Sequence, residues 1–185
     1  HRCINWPQAT VQVERARQWL AHEEDRPAFL VLHFMDMHLP YTEPATFRDR
    51  FAGPTPEPFT SDVFHRNQIL QWERKLDDHG RAWLRGRYDN NLAYIDSVLT
   101  PFLEELSEDT TVLILSDHGE EFLEHGWLGH AWTVWEESIH VPLLLAAPGL
   151  EARRVSTPVS LVDLAPTARV AAGLPEGVDD GEPLL

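Results

Sequence analysis

Two short segments carry side chains of the kinds that bind metal ions or transfer protons. One contains Asp36 and His38, and the other runs through Asp117, His118 and Gly119. A carboxylate oxygen beside an imidazole nitrogen suits a divalent cation such as Ca²⁺, Mn²⁺, Mg²⁺ or Zn²⁺. Adjacent side chains of a straight strand point to opposite faces, so Asp117 and His118 can share an ion only where the backbone turns, as Gly119 permits. Further ligands must come from elsewhere in the fold.

Each of these residues alone also has an ordinary structural explanation. An Asp-His-Gly sequence after a strand commonly forms a turn in which the Asp caps the next segment. His38 alone is typical of a hydrogen-bonded histidine beside a turn, and His125 and His130 alone are typical of surface histidines. The chemical hypothesis therefore depends on the fold bringing these residues together.

The hydrophobic pattern predicts the elements that position these residues. Apolar residues at three- and four-residue steps over residues 86–106 predict a long helix, which Pro101 kinks or ends early. Short apolar runs at residues 28–34 and 110–115 are typical of buried strands. Strand, helix and strand form a βαβ unit, which predicts an α/β fold with a mostly parallel sheet flanked by helices. Both strand tips then lie at one sheet edge, where such folds bind ligands.

Further elements are predicted around this unit. The pattern indicates helices at residues 10–22 and 163–172 and a third strand at residues 141–146. Residues 42–85 hold four prolines and show no clean period. We interpret their first half as irregular loop and residues 63–84 as helical, which predicts a loop-rich insertion or lid over 42–85.

The composition excludes several classes of protein. Hydrophobic residues make up 43% of the chain and charged residues 24%, which indicates a globular domain. A formal net charge of −15 argues against nucleic acid as a partner. An anionic ester is still an acceptable substrate, because a bound cation and a few local histidines can dominate the field in a pocket. No apolar run approaches the roughly 20 residues that cross a bilayer, and the single cysteine, Cys3, excludes an internal disulfide.

Several segments, in the same order along the chain, resemble the sulfatase family of the alkaline phosphatase superfamily. Residues 29–41 resemble the family's strand followed by His-x-Pro-Tyr, and residues 111–121 resemble its metal-binding strand ending in Ser-Asp-His-Gly-Glu. The other matching segments are the helix motif at 88–96, the Glu-His-Gly, Gly-His and Tyr-Glu-Glu-x-x-x-Val-Pro segment at 124–142, and the segments at 159–167 and 180–181. Trp135 replaces the Tyr of the family motif.

The resemblance implies an alkaline-phosphatase-like fold that is incomplete here, with residues 1–185 forming the C-terminal part of a catalytic domain that hydrolyses sulfate esters. Asp117 and His118 would be two ligands of one divalent cation, usually Ca²⁺ in this family. His130 and His38 would be the catalytic and substrate-binding residues, placed near the sulfate and the leaving-group oxygen. As imidazolium, either side chain could neutralise charge on the ester or protonate the leaving oxygen.

The resemblance also implies a nucleophile located upstream of this chain. The family uses a formylglycine made from a Cys or Ser in a Cys/Ser-x-Pro-x-Arg motif, together with an upstream Asp pair that binds the metal. Cys3 is followed by Asn5 and Pro7 where that motif has Pro and Arg, so Cys3 is not the nucleophile. We expect this chain alone to be inactive and to need the N-terminal half of the same domain as its partner.

Two alternatives stay open at this stage. Asp-His at positions 117–118, where many sulfatases have Asp-Asn, is also similar to phosphonate or phosphate ester hydrolases and to phosphoethanolamine or phosphoglycerol transferases of the same superfamily. A degenerate, non-catalytic domain is the second alternative. The substrate would be a small anionic ester, such as a sulfated sugar, an aryl sulfate or a sulfated lipid head group, selected by residues 42–85 and the missing half.

Overall fold

The computed structural model describes residues 8–22, 27–56, 76–175, 177 and 180–185. In chain order, its elements are α1 (Ala9–His22), α2 (Asp78–Glu104), β1 (Val112–Leu115), β2 (Glu121–Phe122), β3 (Leu128–Gly129), α3 (Glu136–Ile139), β4 (Leu143–Ala146), a 3₁₀ turn (Leu161–Asp163) and α4 (Leu164–Ala171). They belong to two compact units. The first unit comprises residues 1–106 and 120–131, and the second comprises residues 107–119 and 132–185. None of the described helices combines the length and the hydropathy that a bilayer-spanning segment needs.

Helix α1 confirms the helix predicted over residues 10–22 and packs against α2 in the first unit. Val13 and Ala16 of α1 are buried against Phe102 of α2, as the helical spacing of the apolar residues requires. Asp36 Oδ1 accepts a hydrogen bond of 3.1 Å from the backbone N–H of Ala9, the first residue of α1. A carboxylate at a helix N-terminus satisfies one of the otherwise unpaired N–H groups there and interacts favourably with the helix dipole.

Helix α2 begins eight residues earlier than the sequence predicted and ends at Glu104, three residues beyond Pro101. Asp77 is the N-cap, and its side chain accepts a 2.8 Å hydrogen bond from Gly80 N. Polar and charged residues such as Asp78 and Arg81 interrupt the apolar pattern of the first two turns, although Trp83 and Leu84 there are buried. Residues 57–75 lie outside the described residues, so the helix predicted over 63–84 is described only from residue 76 onward. The loop-rich insertion or lid over 42–85 stays a prediction.

A buried ion pair holds the segment after His38 against α2. Arg87 Nε lies 2.6 Å from Glu43 Oε1, and the two side chains are only 3% and 0% exposed. The Arg87 guanidinium also donates to the backbone carbonyl of Tyr41. Further along, Asn90 Oδ1 accepts a 2.9 Å hydrogen bond from Phe51 N. The network satisfies the polar groups that this contact buries, so these residues are packed on the helix rather than extended into solvent.

In the second unit, β1 pairs with β4 in antiparallel register, with Leu115 opposite Leu143. They confirm the strands that the apolar runs at residues 110–115 and 141–146 predicted. The C-terminal helix α4 follows a 3₁₀ turn that begins with a capping box, in which the Asp163 carboxylate accepts a hydrogen bond from the backbone N–H of Ser160. The same carboxylate also accepts a hydrogen bond from the backbone N–H of Glu182. These hydrogen bonds stabilise the ionised carboxylate and lower the pKa of Asp163.

The predicted parallel sheet is not present in the part of the chain that the structure describes. Both sheets there have two strands and are antiparallel. Residues 27–35, which include the predicted first strand, form no helix and belong to no strand ladder, and Phe29 and Val31 are 76% and 71% exposed. An apolar run indicates an extended, buried segment, but the partner strand and its direction are set by backbone hydrogen bonds between distant residues.

The turn after β1 is held against α3 by a close backbone approach. Gly119 N–H donates a 2.8 Å hydrogen bond to the carbonyl of Ser138. A Cβ atom at position 119 would lie 2.0 Å from the carbonyl oxygen of Glu137, so only glycine fits without moving the backbone. This contact fixes the backbone that carries Asp117 and His118.

Truncating Glu43 should destabilise the protein because it leaves the Arg87 guanidinium buried without its counter-charge. We expect Glu43→Ala to lower the free energy of unfolding by about 3–5 kcal/mol, measured by urea denaturation of the full-length protein. The double variant Glu43→Leu/Arg87→Met should recover most of that loss, since it removes both charges. Glu105→Ala, which breaks the exposed pair with Arg17, is the control and should have a far smaller effect. A loss for Glu43→Ala no larger than for Glu105→Ala would contradict the buried pair.

Substituting Gly119 should strain the turn after β1. We expect Gly119→Ala to cost about 1–3 kcal/mol of stability in the same denaturation assay, because the added methyl group forces the backbone of residues 137–138 to move. Gly149→Asn is the matched control, since a Cβ there meets nothing within 4 Å and Asn tolerates its φ of 75°. Equal stability of the two variants would show that the contact is not as close as described.

Candidate active site

Asp117 and His118 follow β1 directly and lie in the turn that Gly119 anchors. His118 Nδ1 is 2.8 Å from the carbonyl oxygen of Gly119, and a carbonyl only accepts, so Nδ1 carries a proton. The other ring nitrogen, Nε2, lies 3.8 Å from Asp117 Oδ1 and is the one that a cation could bind. Metal-binding histidines usually donate their other ring N–H to a carbonyl or carboxylate in this way.

The pair fits a cation site in part. Two ligands that each bind one ion at roughly 2.0–2.5 Å lie about 3–4 Å apart, which matches the separation of these two atoms. The side chains of Asp117 and His118 are 68% and 42% exposed, so further ligands can approach them. Within the described ranges, no three His, Cys, Asp or Glu side chains gather around one point as a complete metal site requires. Asp117 and His118 could thus supply two ligands of a cation site.

His38 and His130 come together in the first unit. His38 lies in the turn that follows residues 27–35, and His130 follows β3. Their ring centroids are 5.2 Å apart, with an angle of 75° between the ring planes. His38 Nδ1 lies 2.7 Å from the carbonyl oxygen of Leu39, so this nitrogen carries a proton and Nε2 is on the opposite side of the ring. Asp36 has a different role, at the start of α1.

The structure adds Glu120, which the sequence analysis did not select. Its Oε1 atom is 3.0 Å from His130 Nδ1, and its side chain is 5% exposed. Tyr41 and Tyr88 lie close to the same carboxylate. Burial raises the pKa of both phenols, and the negative charge of Glu120 raises them further, so both hydroxyls stay neutral. Glu120 is the last residue of the Ser-Asp-His-Gly-Glu motif and precedes His130 by ten residues. A β-hairpin predicted between these two positions would have placed Glu120 opposite His130.

This arrangement supports acid and anion-binding chemistry. The imidazole rings of His38 and His130 are in contact, and the buried carboxylate of Glu120 accepts a hydrogen bond from Nδ1–H of His130. A carboxylate in this position stabilises the imidazolium form and fixes the ring orientation. Such a pair of histidines can bind an anionic group and donate a proton to an oxygen atom.

Comparisons with known proteins give the family. The sulfatase family model matches residues 8–174. The chain is 26% identical over 174 residues to the uncharacterized sulfatase YidJ of Escherichia coli, an alignment that covers 81% of this chain and 32% of the relative. It is 29% identical over 168 residues to a choline-sulfatase of Rhizobium meliloti, covering 82% of this chain and 33% of the relative. A shorter stretch of 72 residues is 44% identical to arylsulfatase K of Homo sapiens, covering 38% of this chain and 13% of the relative.

The chain spans about a third of the length of the first two relatives. The matched region nonetheless contains both candidate groups, the Asp117–His118 turn and the His38–His130 pair. Since the family model matches nearly the whole chain, this protein belongs to the sulfatase family, whose catalytic domains have an α/β fold.

Proposed function

We propose that the full-length protein is a sulfuric ester hydrolase. The observation that carries the proposal is the His38–His130 pair with its buried carboxylate, on a chain of the sulfatase family. Relatives named choline-sulfatase and arylsulfatase K support a small anionic sulfate ester as the substrate. An aryl sulfate, a sulfated sugar and a sulfated lipid head group all have this chemistry.

His130 and His38 act on the sulfate group in this proposal. Each Nδ1 atom has an oxygen partner on its own side of the ring, so the Nε2 atoms are the ones placed to meet substrate. One imidazolium neutralises part of the charge on the sulfate oxygens. His130 donates a proton to the leaving-group oxygen, because the Glu120 carboxylate stabilises its charged form before the transfer.

Asp117 and His118 hold one divalent cation in this proposal. Ca²⁺ is our first choice, with Mn²⁺, Mg²⁺ and Zn²⁺ as alternatives, because a carboxylate and an imidazole accept all four. When bound, the cation polarises the ester and lowers the pKa of the nucleophilic hydroxyl. We infer that the remaining ligands and the nucleophile, a formylglycine, lie outside this chain, since Cys3 does not stand in the required motif. Residues 1–185 alone should then be inactive.

Removing the Asp117 carboxylate should abolish most of the activity by weakening cation binding. We expect Asp117→Ala to lower kcat/KM for an aryl sulfate by at least about 100-fold in the full-length protein, with partial recovery at high Ca²⁺ concentration. Asp109→Ala changes an exposed aspartate before β1 and is the control. Turnover of Asp117→Ala at the rate of the wild type would end the metal assignment. Faster hydrolysis of aryl phosphates or phosphonates than of aryl sulfates by the wild type would favour the phosphoryl alternative.

Removing the His130 imidazole should affect poor leaving groups most, since these need a proton in the transition state. We expect His130→Ala to lower kcat by about 10²–10⁴-fold for an aryl sulfate with a weakly acidic phenol and by much less for 4-nitrophenyl sulfate. The dependence of log kcat on leaving-group pKa should become steeper. His125→Ala, in the exposed turn between β2 and β3, is the control. Equal losses across the series would exclude His130 as the acid.

A further inference from the structure

Glu120 is a buried carboxylate whose ion-pair partner is a histidine. Its side chain is 5% exposed, and the distance from its Oε1 atom to His130 Nδ1 is 3.0 Å. A carboxylate removed from water is costly unless it accepts hydrogen bonds or faces a positive charge. The sequence places no Lys or Arg between β2 and His130, so the hairpin itself offers the carboxylate a titratable ring rather than a permanent cation. This choice of partner indicates a function beyond stability.

The hairpin formed by β2 and β3 builds this contact. Glu121 pairs with Gly129 and Phe122 pairs with Leu128 in antiparallel register, so the next positions outward along the two strands are 120 and 130. Gly129 has a φ of 96°, and a Cβ atom there would lie 3.4 Å from Glu120 Oε1. Glycine at this position therefore leaves room for the carboxylate beside the strand. The pairing of Glu120 with His130 follows from strand register and is independent of any ligand.

We propose that Glu120 is the positioning residue for His130. It keeps a proton on Nδ1, stabilises the imidazolium and fixes the ring so that Nε2 faces the ester. The inference rests on the proposed function, in which His130 is the acid. In the reaction, the nucleophilic hydroxyl of the proposed function forms the new bond to sulfur while the bond from sulfur to the leaving oxygen breaks, and the Nε2 proton moves to that oxygen. The product leaves as a neutral alcohol or phenol, and the neutral His130 ring, still protonated at Nδ1, regains a proton from water.

The residues around the Glu120–His130 pair increase the effect of the carboxylate on the His130 ring. His38 contacts His130 edge to face, and Tyr41 and Tyr88 lie beside Glu120. The raised pKa values keep both phenols neutral at physiological pH, so they add no charge beside the carboxylate. A carboxylate in such a site acts on a neighbouring ring more strongly than an exposed one, because the local dielectric constant is lower.

Glu120→Gln tests this inference, since it keeps the size of the side chain and removes its charge. In the full-length protein we expect kcat for an aryl sulfate with a poor leaving group to fall about 10–100-fold, with a much smaller change for 4-nitrophenyl sulfate and little change in KM. Glu120→Asp, which keeps the charge at a longer distance, should recover part of the loss. Glu124→Gln, in the turn of the same hairpin, is the matched control.

A second measurement separates this inference from the proposed function. The ¹⁵N chemical shifts of the His130 ring report which nitrogen carries the proton, and they require no turnover. We expect Nδ1 to be protonated in the wild type and its shift to change in Glu120→Gln. A wild type without sulfatase activity would overturn the proposed function while the shifts still tested the contact. Unchanged shifts, equal losses for all leaving groups, or loss of bound Ca²⁺ in Glu120→Gln would each overturn the positioning role.

Discussion

A charge buried away from water needs a partner of opposite charge or a full set of hydrogen bonds, and this requirement shapes the first unit. Arg87 lies in the middle of α2 and is almost fully buried, so Glu43 must lie beside it. That pairing, together with the hydrogen bond from Arg87 to the Tyr41 carbonyl, fixes the chain shortly after His38. The position of one candidate catalytic histidine thus depends on an ion pair that does not itself contact substrate in our proposal.

The same requirement operates at the second histidine. The Glu120 side chain is buried close to Tyr41 and Tyr88, and the ring of His130 faces its carboxylate. The two buried carboxylates act differently because their partners differ. Arg87 is always charged, so the Glu43 pair is a static support, whereas an imidazole gains and loses a proton near neutral pH and can take part in a reaction. The candidate residues of the second unit are not buried. Asp117 and His118 are exposed, so further ligands can reach them, and the close backbone contact at Gly119 fixes the turn that carries them.

Much of the local structure follows from the sequence, for identifiable reasons. Helix α1 and strands β1 and β4 have unbroken apolar patterns, and each was found within one or two residues of its predicted bounds. Helix α2 was predicted too short because Asp77, Asp78 and the arginines that follow form no apolar stripe, although Asp77 supplies a regular N-cap. The predicted parallel pairing is not found among the described strands, because the hydrophobic pattern of one strand does not specify the direction of its neighbour.

By itself, the sequence determined which chemistry is available and which family this chain belongs to, because motifs such as Ser-Asp-His-Gly-Glu and Gly-His are read in order along the chain. It also placed Asp117 and His118 at a strand end, because hydrophobic runs and glycine turns are local signals. Only the tertiary structure decided that His38 lies against His130, that Glu120 faces the ring, and that Glu43 neutralises Arg87. These contacts join residues that are 10 to 92 positions apart. Two of them pair buried charges and the third is a contact between two imidazole rings, and no local sequence pattern specifies either kind.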